Sequence, residues 1–589
     1  MSLWFSRLFR RPHARPLPTP AVRRLSFRPR LEALEDRLVP STLTVTNTND
    51  NGAGSLRAEV ASAQSGDTIV FDPSLAGGTV YLTTGEIQVA NNITIDGQTN
   101  NITIDGTGNI GRLFEITGSA SNVAINNLAL NNSTVSGASG GAIMVDGGGS
   151  LTLNGDSFSS DSATVSGTTP GYGGAIENAG SLTVNSCTFT NNSAESGGAI
   201  DSYSTGGTGT LAVSNSTFQT NSATDGYGGA ISTNDSTKLS GDTFGGTGST
   251  DGNTATVCSG AVDADGAVPG TTTLTMSNDM FIGNQVTGTS GYGGAISTTD
   301  NLSSTSDTFN DNTAPYGGGA IDYYIKNTTS TGFNSTMTLT DDYFLNNQGE
   351  DGGAVYDDVN IASGSVTSNI TDNTFYQNTA TGTGTYGYGG GLDIYHTTSG
   401  AGSASATLIN DTFFQNTSDN HGGGLAVTNN NTGTGTNTIS LTSLTVNDNQ
   451  ASTDGGGLYT SDRNVSVDNS ILDGNTVTAG GYSGPEDLTV ASGALIDNGY
   501  NLVGTSDTQF TLGTDILNNN PGLASSLAQN GAPAGVPPTL ALSTSSPGYE
   551  TGDQSLAGQS GALGQDERGF TRQSDEVSIG AEDPNATSP

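Results

Sequence analysis

Paired acids and two histidines are the residues of this chain that could do chemistry. Adjacent carboxylates occur at Asp341-Asp342, Glu350-Asp351 and Asp357-Asp358, and His396 and His421 stand 25 residues apart with Asp393 and Asp419 nearby. A carboxylate pair set across a glycosidic bond would give hydrolysis. A cation beside a uronate with a strong base, usually Arg or Lys, would give β-elimination. Elimination has few candidates, since between residues 100 and 480 the basic residues are Arg112, Lys238, Lys326 and Arg463. Widely spaced bases of this kind are expected on the solvated surface. The acid pairs also have a plain explanation, because Asp in turns caps local backbone groups. Neither Asp-Ile-Tyr-His nor Asp-Asn-His has metal-ligand spacing, and both histidines are expected on solvent-facing loops. Clustered Asp and Asn oxygens on glycine-rich turns suit calcium, yet no Gly-Gly-x-Gly-x-Asp run recurs. Tyr172, Tyr227, Tyr292, Tyr316, Tyr386 and Tyr388 precede glycine-rich turns, as a strip for stacking sugars or as spacers packed on the next turn. Catalytic and metal-binding residues remain unassigned, and no cofactor motif is identified.

The elements that would position these groups follow from composition and repetition. Of 589 residues, 86 are glycine and 32% are hydrophobic, with a formal charge of −40. Residues 1–40 contain nine arginines against three acids, so the remainder holds seven basic residues facing 53 acidic ones. Such a body repels phosphate backbones, which excludes nucleic acid and leaves cations, neutral glycans or a protein partner. No run of 18 apolar residues exists to form a transmembrane helix.

Two motifs alternate over residues 140–478, giving about eleven imperfect repeats. Gly-Gly-Ala-Ile ends at Ile143, Ile176, Ile200, Ile231, Ile296 and Ile321, with variants ending at Val262, Val355, Leu392, Leu425 and Leu458. An apolar residue followed three places later by Asn is the second: Phe189 with Asn192, Phe218 with Asn221, Phe281 with Asn284, Phe309 with Asn312, Phe344 with Asn347, Phe375 with Asn378, Phe413 with Asn416, Val446 with Asn449 and Leu472 with Asn475. From the Ala to the apolar residue the gap runs from 14 to 24 residues, and onward to the next Ala from 10 to 17. Motifs that persist while both connections vary belong on stacked strands, with insertions in loops. The spacing predicts a single-stranded right-handed parallel β-helix in which like residues stack about 4.8 Å apart. Gly-Gly would allow a tight turn or close approach of coils, and Asn would bond along the axis. Cys187 and Cys258 fall in different columns, so no disulfide is expected.

Both ends of such a solenoid need covering. Residues 55–63 read as a short amphipathic helix that plugs the first coil. The division is a basic leader over 1–41, the β-helix over 42–498, an irregular C-terminal cap or anchor-type region over 499–582 and a tail over 583–589. The leader is cationic but lacks the apolar stretch of a signal peptide.

These motifs carry resemblances. Gly-Gly-Ala-Ile with Phe-x-x-Asn is similar to the repeats of polymorphic outer membrane proteins, which are cell-surface adhesins. Val45-Thr46-Asn47-Thr48-Asn49-Asp50, Gly54-Ser55-Leu56-Arg57, Asp67-Thr68-Ile69-Val70-Phe71 and Ile93-Thr94-Ile95-Asp96-Gly97 resemble the opening of bacterial β-helix proteins of the choice-of-anchor Q type. Gly499-Tyr500-Asn501-Leu502-Val503-Gly504, Ser546-Pro547, Gly552-Asp553, Asp566-Glu567-Arg568-Gly569 and Ile579-Gly580-Ala581 follow that family's ending, with departures at Gly548-Tyr549 and Glu582-Asp583. Residues 30–41 resemble a short motif that opens large exported proteins of environmental bacteria. The resemblances imply an exported protein, extracellular or at the cell surface or outer membrane, that adheres to or binds a glycan or partner; it is expected to be a monomer. A polysaccharide lyase or glycoside hydrolase on the same scaffold is the alternative.

Overall fold

The computed structural model describes residues 40–588, apart from 109–110, 206–208, 247, 249, 267, 328–331, 383, 462–463, 479–483 and 505–508. The leader up to residue 39 and Arg463 therefore lie outside the described residues. From Thr42 onward the chain winds as a right-handed parallel β-helix. Each coil passes through three sheets in turn: a first of 16 strands (Thr42–Val45 to Ile496–Gly499), a second of 16 (Thr79–Tyr81 to Ile516–Leu517) and a third of 14 (Ile87–Val89 to Leu488–Val490). Two six-stranded ladders run along the turn between the second and third sheets. Sixteen coils at about 4.8 Å per strand make a stack of roughly 75 Å.

The repeated residues form the core. Phe158, Phe189, Phe218, Phe244, Phe281, Phe309, Phe344, Phe375 and Phe413 stack with ring centroids 4.6–4.9 Å apart and nearly parallel. Val446 and Leu472 continue the column. Next to it, buried asparagines run from Asn192 to Asn475. Asn312 is typical: its Nδ2 donates to Asn347 Oδ1 at 2.9 Å and to the Phe281 carbonyl at 2.9 Å. Its Oδ1 accepts Asn284 N–H and Nδ2, both at 3.0 Å. Both amide protons and the oxygen are thus engaged, which a buried amide requires. The coil of Phe244 keeps the bond through Asn253, nine residues on, with the insertion looped out. The ladder ends on Asp487, whose Oδ1 accepts from Asn475 N–H and Nδ2.

A second polar column lies two residues before each Phe. Asp242, Asp279, Asp307 and Asp342 are buried, and each accepts the backbone N–H of the preceding coil's column residue. Asp342, one of the paired acids, is therefore a structural cap, and Asp341 beside it adopts a left-handed turn. Burial raises these carboxyls, Asp242 to about 6 and Asp279 to about 8, the latter also through Asp307.

The two motif glycines have separate reasons. Gly173 has φ +64°, and a Cβ there would sit 2.1 Å from the Ile176 carbonyl oxygen of its own coil. A Cβ on Gly174 would sit 2.0 Å from the Gly198 oxygen of the next. Cys187 is buried in the Asp column and Cys258 lies in the Tyr column, both as free thiols.

At the N-terminus the helix Leu56–Ser62 is capped by Ser55 and buries Leu56 and Val60. Arg57 pairs with Asp50 at 2.9 Å and donates to the carbonyls of Gly85 and Glu86, tying the helix to the first coils. The C-terminal residues are irregular and fold back along the flank of the second sheet. Glu567 accepts from Thr374 and Thr412 at 2.9 and 2.6 Å, and Thr445 accepts Ala581 N–H. Arg568 pairs with Asp566, while Arg572, fully buried, reaches Asp583 and Asn410. Glu567 of the Asp-Glu-Arg-Gly run thus fastens this segment to the coils, while Asp566 and Arg568 brace the segment itself.

Candidate functional site: an aromatic and acidic face on the third sheet

In each third-sheet strand the residue after the motif Ile points outward, because side chains alternate along a strand. Register aligns Glu177, Asp201, Ser232, Asp263, Ser297, Asp322, Tyr356, Asp393, Ala426 and Tyr459 in one outward column. The residue before Gly-Gly forms a parallel column in which Tyr227, Cys258, Tyr292 and Tyr316 bridge in sequence, as do Tyr388, His421 and Asp454. The glycine turn folds this second column beside the first. Glu177, Asp201, Asp263, Asp322 and Asp393 are therefore buried although they sit outside the coil. Tyr227, Tyr292 and Tyr386 remain 37–45% exposed. They are at once spacers and an open aromatic strip.

Two grooves open on this face. One, of about 490 Å³, lies over residues 351–461 and is lined by Asp351, Tyr386, Tyr388, Asp393, Tyr395 and Tyr459, with hydroxyls from Thr385, Thr428 and Ser461. His421 stacks on Tyr459 with centroids 4.4 Å apart and lies 5.0 Å from Tyr388. Asp351 Oδ1 accepts the N–H groups of Gly387 and Tyr388 at 2.5 and 3.0 Å. Asp393 is 2% exposed with Oδ1 unpartnered. Burial, followed by Asp351, Asp358 and Asp357, pushes its carboxyl well above the usual range. The other groove, of about 520 Å³, lies between Tyr172 and Ser232.

Of the two histidines, His396 departs from the expected loop position. His396 is on a strand and points into the coil, where its Nε2 lies 3.0 Å from Asp357 Oδ2 with both residues wholly buried. His421 is on the outer turn, 3.4 Å from Asp454. One coil apart in sequence, they occupy opposite sides of the sheet because His396 has inward parity. Alternation also splits the pair Asp357-Asp358, the first inside and the second outside. Of the sequence candidates, the groove brings together Asp351, Asp393, Tyr386 and Tyr388. Asp419 is exposed on its turn, as are Lys238 and Lys326 on their strands, and Arg112 pairs with Glu86 at 2.9 Å. Tyr356, Tyr395, Tyr459, Glu177 and Asp201 were missed, although four of them sit one place after the motif's apolar residue and Tyr395 lies two residues further along its strand. Among the described residues no group of three His, Cys, Asp or Glu side chains is placed to hold a metal. Nor is any helix long and apolar enough to cross a membrane.

A model of the Chlamydia polymorphic membrane protein repeat matches residues 186–203, which span one Phe-x-x-Asn and the following Gly-Gly-Ala-Ile. No curated protein matches the chain. Among solved structures, the periplasmic alginate epimerase AlgG is 12% identical with a TM-score of 0.30, covering 71% of this chain and 82% of its own. Tailspike protein 3 of bacteriophage CBA120 is 12% identical with a TM-score of 0.34, covering 79% of this chain and 61% of its own. Pectate lyase Pel9A is 12% identical with a TM-score of 0.22, covering 92% and 96%.

Proposed function

We propose that this protein is an exported, surface-facing rod that binds neutral glycans in the groove over residues 351–461. The observation that carries the reading is the lining itself. Tyr386 and Tyr395 present aromatic faces at 45% and 40% exposure, beside hydroxyls of Thr428 and Ser461 and the carboxyls of Asp351 and Asp393. Pyranose rings offer apolar faces and hydroxyls that both give and accept hydrogen bonds, and this lining answers each. The body's excess of acids disfavours acidic polysaccharides. Export and a surface location, extracellular or at the outer membrane, are supported by the membrane-protein repeat over residues 186–203 and by the resemblance to choice-of-anchor proteins.

A panel of neutral and acidic polysaccharides tests the reading by calorimetry. Neutral chains should bind the intact protein, and Tyr388→Ala should weaken them at least tenfold. Binding unaffected by that change would remove the groove from the account.

Hydrolysis is the second reading, favoured by two carboxyls in one groove, Asp393 raised by burial and Asp351 accepting two backbone N–H groups. New reducing ends that vanish in Asp393→Asn would establish it, and binding without cleavage would exclude it for the panel used.

A further inference from the structure

The groove between Tyr172 and Ser232 differs in chemistry from the one assigned to glycans. Tyr172, Tyr203, Tyr227, Glu177, Glu195 and Asp201 line it, with Asp225 at its edge. It thus offers three aromatic faces and four carboxyl groups, and among the described lining residues none is basic. Glu177 and Asp201 stand side by side on adjacent coils. Glu177 is 8% exposed, lines this groove and shares a carboxyl hydrogen bond with Asp201. Glu195 Oε2 is buried and unpartnered. A buried carboxyl oxygen without a donor is costly unless something supplies one. Tyr203 and Tyr227 leave 61% and 45% of their surfaces open over these acids.

We infer that this groove is a second binding site, for a substituted ammonium group held between the tyrosine faces with its charge against Glu177 and Asp201. An ammonium is donor-only or wholly apolar at its surface, and positive, so it complements a lining of acceptors and ring faces. A neutral sugar would need donors that this groove supplies only through its phenols. The nearest cation, Arg112, acts on Glu177 from a distance and is itself bound to Glu86 and the Ser139 carbonyl. The groove's described lining holds no cation to offset its four carboxyls.

The test uses the intact protein and two matched pairs of probes, choline against 3,3-dimethylbutan-1-ol and glucosamine against glucose, titrated by calorimetry or ligand-observed NMR. Each cation should bind at least tenfold more tightly than its neutral partner in one pair. The pair that shows the difference identifies a quaternary group or an amine on a sugar. Glu177→Gln and Tyr227→Ala should each reduce that preference at least fivefold, while Asp393→Asn should leave it unchanged. Cations no better than their neutral partners in both pairs would overturn the site. So would a preference that persists in Glu177→Gln but is lost in Asp393→Asn, which would place the cation in the other groove. Neutral-glycan binding is measured separately through Tyr388→Ala, so either site can fail without the other.

Discussion

The coils up to residue 310 and those from 321 to 431 are built from the same motifs but differ in width. In the earlier coils the third-sheet strands are three residues long, such as Ile176–Asn178 and Ile296–Thr298. In the later ones they are seven, as in Ile321–Asn327, Val355–Ile361, Leu392–Thr398 and Leu425–Asn431. The narrow section is filled by the columns of Phe, Ile and Ala. Lengthening the strands adds interior positions, and there the chain buries His396 and Asn429, while Tyr323 and Asp357 take the place that Thr298 holds in the last narrow coil. Tyr323 bonds Ser335 at 2.7 Å and Asp357 bonds His396. Repetition therefore secures the stack, while departure from it adds a buried acid–histidine pair and the larger outward surface on which Tyr395 stands.

The largest effect should come from the shared column. Phe309→Ala leaves a cavity between stacked rings and should cost about 3–5 kcal/mol in denaturant unfolding. In the wide section Asp357→Ala strands His396 and should cost about 3 kcal/mol, whereas Asp357→Leu combined with His396→Leu should return to within about 1 kcal/mol of the parent. Equal losses in the single and double variants would mean that packing, not the polar pair, dominates there.

The acid column gives a pH effect. Asp279 ionises at about 8 when folded, through burial and then Asp307, against about 3.9 unfolded. The folded state thus holds the proton more tightly, and the contribution to stability is full below about pH 4 and lost as pH rises through about 8. The thermal midpoint should fall between pH 5 and 9, and Asp279→Asn should flatten that fall. Asn373 already occupies this column and donates to Asp411 at 3.0 Å, so the substitution has a precedent within the molecule. The smallest stability change belongs to Tyr388→Ala, expected within about 1 kcal/mol, which separates a binding residue from a structural one.

The fold was readable because each column residue recurs at a motif position, and stacking makes recurrence visible in one dimension. Phe244 escaped the Phe-x-x-Asn pattern only because an insertion moved its Asn to position 253. The site was less readable for a related reason. Asp351 and Asp393 looked like two among many acids, since burial beneath folded-over tyrosines depends on which parity a residue takes and on the turn that covers it. His396 shows the same limit: its one-coil spacing from His421 was plain, but the strand extension that turned it inward was not. The buried carboxylates of the C-terminal segment have no periodic signal at all.

The asparagine chain has a direction. Every link gives its backbone N–H and one Nδ2 proton forward to the next oxygen and its other Nδ2 proton back to a carbonyl of the Phe column, so an internal link can follow any other, whereas Asp487 meets both forward bonds with a carboxyl. Rod length is then a matter of where a terminator is encoded, and internal segments behave as interchangeable cassettes. Copying or excising one whole winding would leave every junction matched, a route by which such a chain can change its reach while its loops diversify independently.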